Sequence, residues 1–116
     1  MRKKFLEANY DTVKKALRAY LEGIHRTRTD KAFTIKVIAK YTGEKDPKIL
    51  SDTYDYYAND AFEKLPYVTD EGMKLVFEQL SGAVAGGKDL KAASLVDMRL
   101  LKEIDASGFV NRLYGR

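Results

Sequence analysis

Six apolar residues, Val13, Ala16, Leu17, Tyr20, Leu21 and Ile24, recur in alternating steps of three and one. At 3.6 residues per turn those steps put all six side chains on one helical stripe, whereas on a strand they would scatter over both faces. A stripe of that length has to be covered, so the rest of the chain is expected to supply apolar helices of its own. Asn9 or Asp11 can cap the start of this helix, and Gly23 lies near its expected end. Ahead of it, Phe5, Leu6 and Ala8 look like the close of another short element.

Further starts and stops can be read downstream. Thr29 or Asp30 can cap a second helix running to Tyr41, with Phe33, Val37, Ile38 and Tyr41 as its buried stripe and Gly43 at the stop position. Asp46-Pro47 pairs a capping acid with proline at the first helical position, where no amide hydrogen bond is lost. Ile49, Leu50, Thr53, Tyr54 and Tyr57 continue that helix until Leu65-Pro66 breaks the pattern. Thr69-Asp70-Glu71 opens a fourth helix with acids at its positive dipole end, and Met73, Val76, Phe77 and Leu80 supply its stripe. Residues 81–93 hold Gly82, Gly86 and Gly87 and read as a flexible loop. A last helix is expected from Ser94, with Asp97 in a capping-box position and Leu95, Met98, Leu101 and Ile104 facing inward. Gly108 then stands at a left-handed C-cap with Phe109 folding back on the last turn. No alternating strand pattern of useful length occurs. The expectation is one all-α domain over residues 1–116, a bundle of about five helices.

Composition narrows the functional classes. Of 116 residues, 45% are apolar and 33% charged, a globular rather than a disordered balance. With no cysteine, disulfides and thiolate metal sites are excluded. No apolar run approaches the ~20 residues that span a bilayer, and Glu7, Asn9 and Asp11 interrupt what would be a signal peptide after Arg2, Lys3 and Lys4. The net charge of +4 conceals an asymmetry: residues 1–45 hold twelve Lys/Arg against five Asp/Glu, and residues 46–80 three against eight. Such a split favours packing of one part on the other or head-to-tail association; solvated helix faces of different sign would give the same count.

Four stretches could carry chemistry. Gly82 to Asp89 nearly spells a phosphate-binding loop, but Asp89 stands where Ser or Thr would hold magnesium, and the stretch follows a helix instead of a strand. The helices on either side of Gly43 suggest a helix-turn-helix, yet the second carries Asp46, Asp52 and Asp55 against Lys48, the wrong sign for a polyanion. Asp52 to Asp60 groups acids with tyrosines; counted from Asp55, the glycine and glutamate of a calcium loop are replaced by Asp60 and Pro66. His25, Arg26 and Arg28 could bind an anion or serve as cationic partners of a helix C-terminus. None of these makes an enzyme, and no catalytic, cofactor-binding or metal-binding residue is assigned.

The order of the segments carries a resemblance. Phe5-Leu6-Glu7-Ala8-Asn9-Tyr10-Asp11-Thr12-Val13 and Ala16-Leu17-Arg18-Ala19-Tyr20 open it. Val37 to Thr42, Ile49 to Tyr57, Leu65-Pro66-Tyr67, Glu71-Gly72-Met73, Val96 to Glu103 and Ser107-Gly108-Phe109 follow in turn. This sequence of segments resembles the C-terminal region of solute-binding proteins of ABC importers of the nitrate/sulfonate/taurine type, relatives of the proteins that handle thiamine precursors. Tyr10 departs from the family's usual proline before the long helix, and the glycine-rich stretch looks longer than usual.

The resemblance implies a non-catalytic helical segment of a two-lobed receptor that closes on its ligand. Both lobes and the ligand-contacting motifs lie outside this chain, so the ligand-binding residues stay unknown. It further implies a periplasmic or extracytoplasmic protein that passes a small solute to an ABC permease, with no cofactor and no nucleic-acid partner. The alternative is a stand-alone helical module, cytoplasmic in the absence of a signal peptide, that binds a protein partner. In either case apolar faces are left uncovered in the isolated chain, and a homodimer or larger homo-oligomer is expected.

Overall fold

A computed structural model describes residues 1–80 and 95–115. Among the described residues there are seven α-helices and no strand. They are α1 (Lys3–Ala8), α2 (Tyr10–Thr29), α3 (Lys31–Thr42), α4 (Pro47–Tyr56), α5 (Asp70–Leu80), α6 (Arg99–Ala106) and α7 (Phe109–Leu113). The all-α reading and the presence of α1 ahead of the long helix therefore hold. The glycine-rich stretch 81–93 and the phosphate-loop-like Gly82 to Asp89 lie outside the described residues.

The long helix α2 organises the rest, and its apolar stripe is the reason. Leu21 and Ile24 on α2 meet Leu101 and Ile104 of α6 and Phe109 and Val110 of α7 in one buried cluster. Leu17, Phe62, Leu65, Met98, Leu113 and Tyr114 close around it. Leu21 and Ile104 are each only 1% exposed, and full burial of such a side chain contributes about 1.5–3 kcal/mol. Gly108 is left-handed at φ 69°, which turns the chain so that Phe109 returns onto this cluster, as its position predicted.

Several boundaries move. The chain stays helical through Gly23 to Thr29, because Leu21 and Ile24 are anchored on both sides of it. Asn9 sits at the start of α2 but donates its side-chain amide back to the Phe5 carbonyl at 3.0 Å instead of capping. The caps at Asp30 and Asp46 form as expected: Asp30 accepts from the Phe33 amide, and Asp46 from those of Lys48 and Ile49. Helix α4 runs directly into a π-helical turn, Tyr57–Ala61, before Leu65-Pro66.

The last long helix begins at Arg99 instead of near Ser94. Asp97 accepts the Arg99 amide at 3.1 Å and grips the Arg99 guanidinium, so it opens α6 from outside. Leu95, although helical itself, lies ahead of α6 and is exposed, contrary to the inward position expected for it.

The arrangement is open. The Cα radius of gyration is 17.4 Å, against about 13 Å for a compact chain of this length. The accessible surface of 8833 Å² exceeds by roughly 2,400 Å² the ~6,400 Å² typical of a 13.2 kDa monomer. Helix α5 shows the same thing locally: among the described residues it packs on no other helix, and Leu75 is 56% exposed.

Candidate docking surface

The residues singled out for chemistry do not converge. At the C-terminal end of α2, the His25 ring meets Tyr114 edge-on at 4.7 Å. Arg26 lies 3.8 Å over the Phe33 ring and pairs with Asp30. Arg28 turns inward and donates to the Phe62 carbonyl. Three cationic or titratable side chains with three separate partners leave no common anion pocket, which corrects the anion-binding option. The phenol oxygen of Tyr114 is buried without a hydrogen-bond partner, and burial pushes its pKa up.

The acid-and-tyrosine run on α4 separates likewise. Tyr54 is buried and donates to the Arg28 carbonyl at 3.1 Å, tying α4 to the end of α2. Asp55 pairs with Lys31 at 2.8 Å, joining α4 to α3. This is the charge split working within the chain, basic first part against acidic middle. Asp52 pairs with Lys48 four residues earlier at 2.6 Å. Tyr56 and Tyr57 point outward, in contact with each other and, through Tyr57, with Phe62. Among the described residues no group of three or more His, Asp or Glu side chains could hold a metal ion.

Three other polar arrangements pin the bundle. Glu103 on α6 accepts from the Tyr10 hydroxyl at 2.5 Å and from Lys14 at 2.7 Å. The Lys14 ammonium, followed by the Tyr10 hydroxyl, holds the Glu103 carboxyl below the usual range, and Glu103 in turn raises the Tyr10 pKa. Arg99 lowers Asp97 to about 2 through its side-chain hydrogen bonds. Tyr67 donates to Asp105 at 2.9 Å. Tyr10 and Lys14 thus fasten α2 to α6, and Tyr67 and Asp97 fasten the neighbouring loop segments to it.

What the fold does present is surface. A groove of about 1140 Å³ opens between the N-terminal helices and α6. Leu6, Val13, Leu17, Met98 and Leu101 line it, with Lys3, Glu7 and Asp97 at its edge. A second open surface lies on α3 and α4. The stripe expected to be buried on α3 is only partly covered: Val37 and Ile38 are half-buried, Phe33 and Tyr41 are exposed, Tyr41 at 80%, and the buried residue is Thr34, whose hydroxyl donates to the Thr27 carbonyl. The signal was present but read for one face only. Phe33, Ile35, Val37, Ile38, Ala39 and Tyr41 surround the helix, and a helix apolar on all sides needs covers on more than one. On α4, Leu50 and Tyr54 are buried, while Ile49 and Tyr57 are exposed.

No family model matches the chain, and no curated protein or solved structure matches it.

Proposed function

We propose that this chain is a non-catalytic helical docking element, the C-terminal helical support of a solute-binding receptor of the nitrate/sulfonate/taurine type. The observation that carries the reading is the open apolar groove beside a chain that exposes far more surface than its mass requires. In a two-lobed receptor the α/β lobes would lie on that groove and on α5. The quoted stretches Val13 to Tyr20, Leu65 to Tyr67, Val96 to Glu103 and Ser107 to Phe109 supply residues of one core cluster, as expected of a single unit. The intact protein would then be extracytoplasmic and hand a small solute to an ABC permease. The helical part would buttress the lobe that closes on the solute. Among the described residues no helix is long and apolar enough to cross a membrane.

The second reading, a stand-alone module that works by binding a protein partner, draws on the exposed stripes of α3 and α4. Mapping the transcript upstream of Met1 separates the two. An open frame running back through two α/β lobes to an export signal supports the receptor. An in-frame stop followed by a ribosome-binding site directly before Met1 overturns it in favour of the module.

A further inference from the structure

The outward faces of α3 and α4 each set aromatic and aliphatic side chains beside charge, and the charges are opposite in sign. On α3, Phe33, Val37 and Tyr41 fall at i, i+4 and i+8, with Lys36 and Lys40 between them at i+3 and i+7. On α4 and its π-helical extension, Ile49, Asp52, Tyr56, Tyr57 and Asp60 form a similar row. Side chains three and four apart are neighbours on an α-helix, so Phe33, Val37 and Tyr41 form one band edged by Lys36 and Lys40, while on the α4 side Asp52 lies between Ile49 and the Tyr56–Tyr57 pair. Both rows are open to solvent over most of their length.

The charges on these rows have no partner on another helix among the described residues: Lys40 lies over the ring of its neighbour Tyr41 at 5.5 Å. Among the described residues Lys36, Lys40 and Asp60 take part in no ion pair, and Asp52 has only its exposed partner Lys48. Within the chain the same two helices already use the complementary pair Lys31–Asp55 at 2.8 Å to hold together. The sign pattern that joins α3 to α4 inside one molecule is repeated on their outer faces, where the contacts are local: Arg26 over Phe33, Lys40 over Tyr41 and Lys48 beside Asp52.

We infer that a second copy of this chain covers them, the basic aromatic stripe of α3 seating on the acidic aromatic stripe of α4. A stable interface buries about 800 Å² from each partner, which the faces of two neighbouring helices can supply. Aromatic anchors flanked by complementary charge give both buried apolar area and register. The inference goes beyond the supporting role proposed above. It does not use the groove against α6, so either can fail while the other stands.

A charge swap tests it on the full 116-residue chain. Light scattering at tens of micromolar protein and low salt should give a mass at least twice 13.2 kDa. Half a molar salt should weaken the association, because exposed charges are then screened within a few ångströms. The pair D52K/D60K turns both stripes basic, and K36E/K40E turns both acidic. Each variant alone, with helicity by circular dichroism unchanged, should associate at least about tenfold more weakly. An equimolar mixture should recover the wild-type mass, since each stripe again meets its opposite. A monomeric wild type, variants that associate as the wild type does, or a mixture without recovery would each overturn the proposal. Variants that lose their helicity but recover both helicity and mass on mixing would support it.

Discussion

Ile104 sits at the meeting point of α2, α6 and α7, where it is 1% exposed. Replacing it with alanine removes three carbons, worth about 2.4 kcal/mol at ~0.8 kcal/mol each. The neighbours Leu21, Ile24, Leu101 and Phe109 are held on separate helices and cannot all collapse into the gap, so a cavity cost is added. Ile104→Ala should therefore cost about 3–4 kcal/mol, in the middle of the range for large-to-alanine core changes. That is a large share of the ~5–15 kcal/mol that stabilises a small domain, and the melting temperature should fall by roughly 10–20 °C. The control is Leu75→Ala on α5. Leu75 is 56% exposed on a helix that packs on no other among the described residues, so the change should stay within about 0.5 kcal/mol. Urea unfolding of both variants, followed by circular dichroism, gives the comparison. If Ile104→Ala costs less than about 1 kcal/mol, or no more than Leu75→Ala, the cluster joining α2 to α6 and α7 is not the core.

Three further outcomes follow from local structure. Asp46→Ala removes the acceptor for the amides of Lys48 and Ile49 and should cost about 1 kcal/mol in urea unfolding, with Asp46→Ser restoring most of it. Gly43 is left-handed at φ 75° with open space where a Cβ would point. Gly43→Ala should thus cost about 1–2 kcal/mol from the backbone alone, and Gly43→Asn less. The Asp97 carboxyl, held near 2 by Arg99, should titrate there by NMR and return toward the usual carboxylate value in Arg99→Ala. Because its folded pKa is depressed, the stability it contributes is present above about pH 4 and is lost as the pH falls toward 2. The start of α6 should fray over that window.

How far the sequence could be read depended on whether local chemistry or tertiary packing made the decision. Asp46-Pro47, Asp30 and Gly108 act through their own backbone, so their caps and turns are where the residue types put them. Gly23 was misread as an end because its helix cost is small against the anchoring of Leu21 and Ile24 on either side. The Arg99 start of α6 depended on Asp97 gripping the guanidinium two residues on, a contact that periodicity cannot reveal. The stripe on α3 was a question of which partner covers which face. Apolar spacing marks a face that needs cover, but not whether the cover lies in the same chain. For that reason the candidate surface was legible as residues and illegible as a surface: Phe33, Val37, Ile38 and Tyr41 were assigned to the inside, and only Val37 and Ile38 are half-buried there.

The central claim is that the chain's working feature is open surface instead of an enclosed site. Small-angle X-ray scattering on the D52K/D60K variant, diluted until it is monomeric, tests this most directly. A radius of gyration near the 17.4 Å of the fold is the result expected. A value near the ~13 Å of a compact chain would mean that the chain folds over its own groove and stripes, and the docking account would fall.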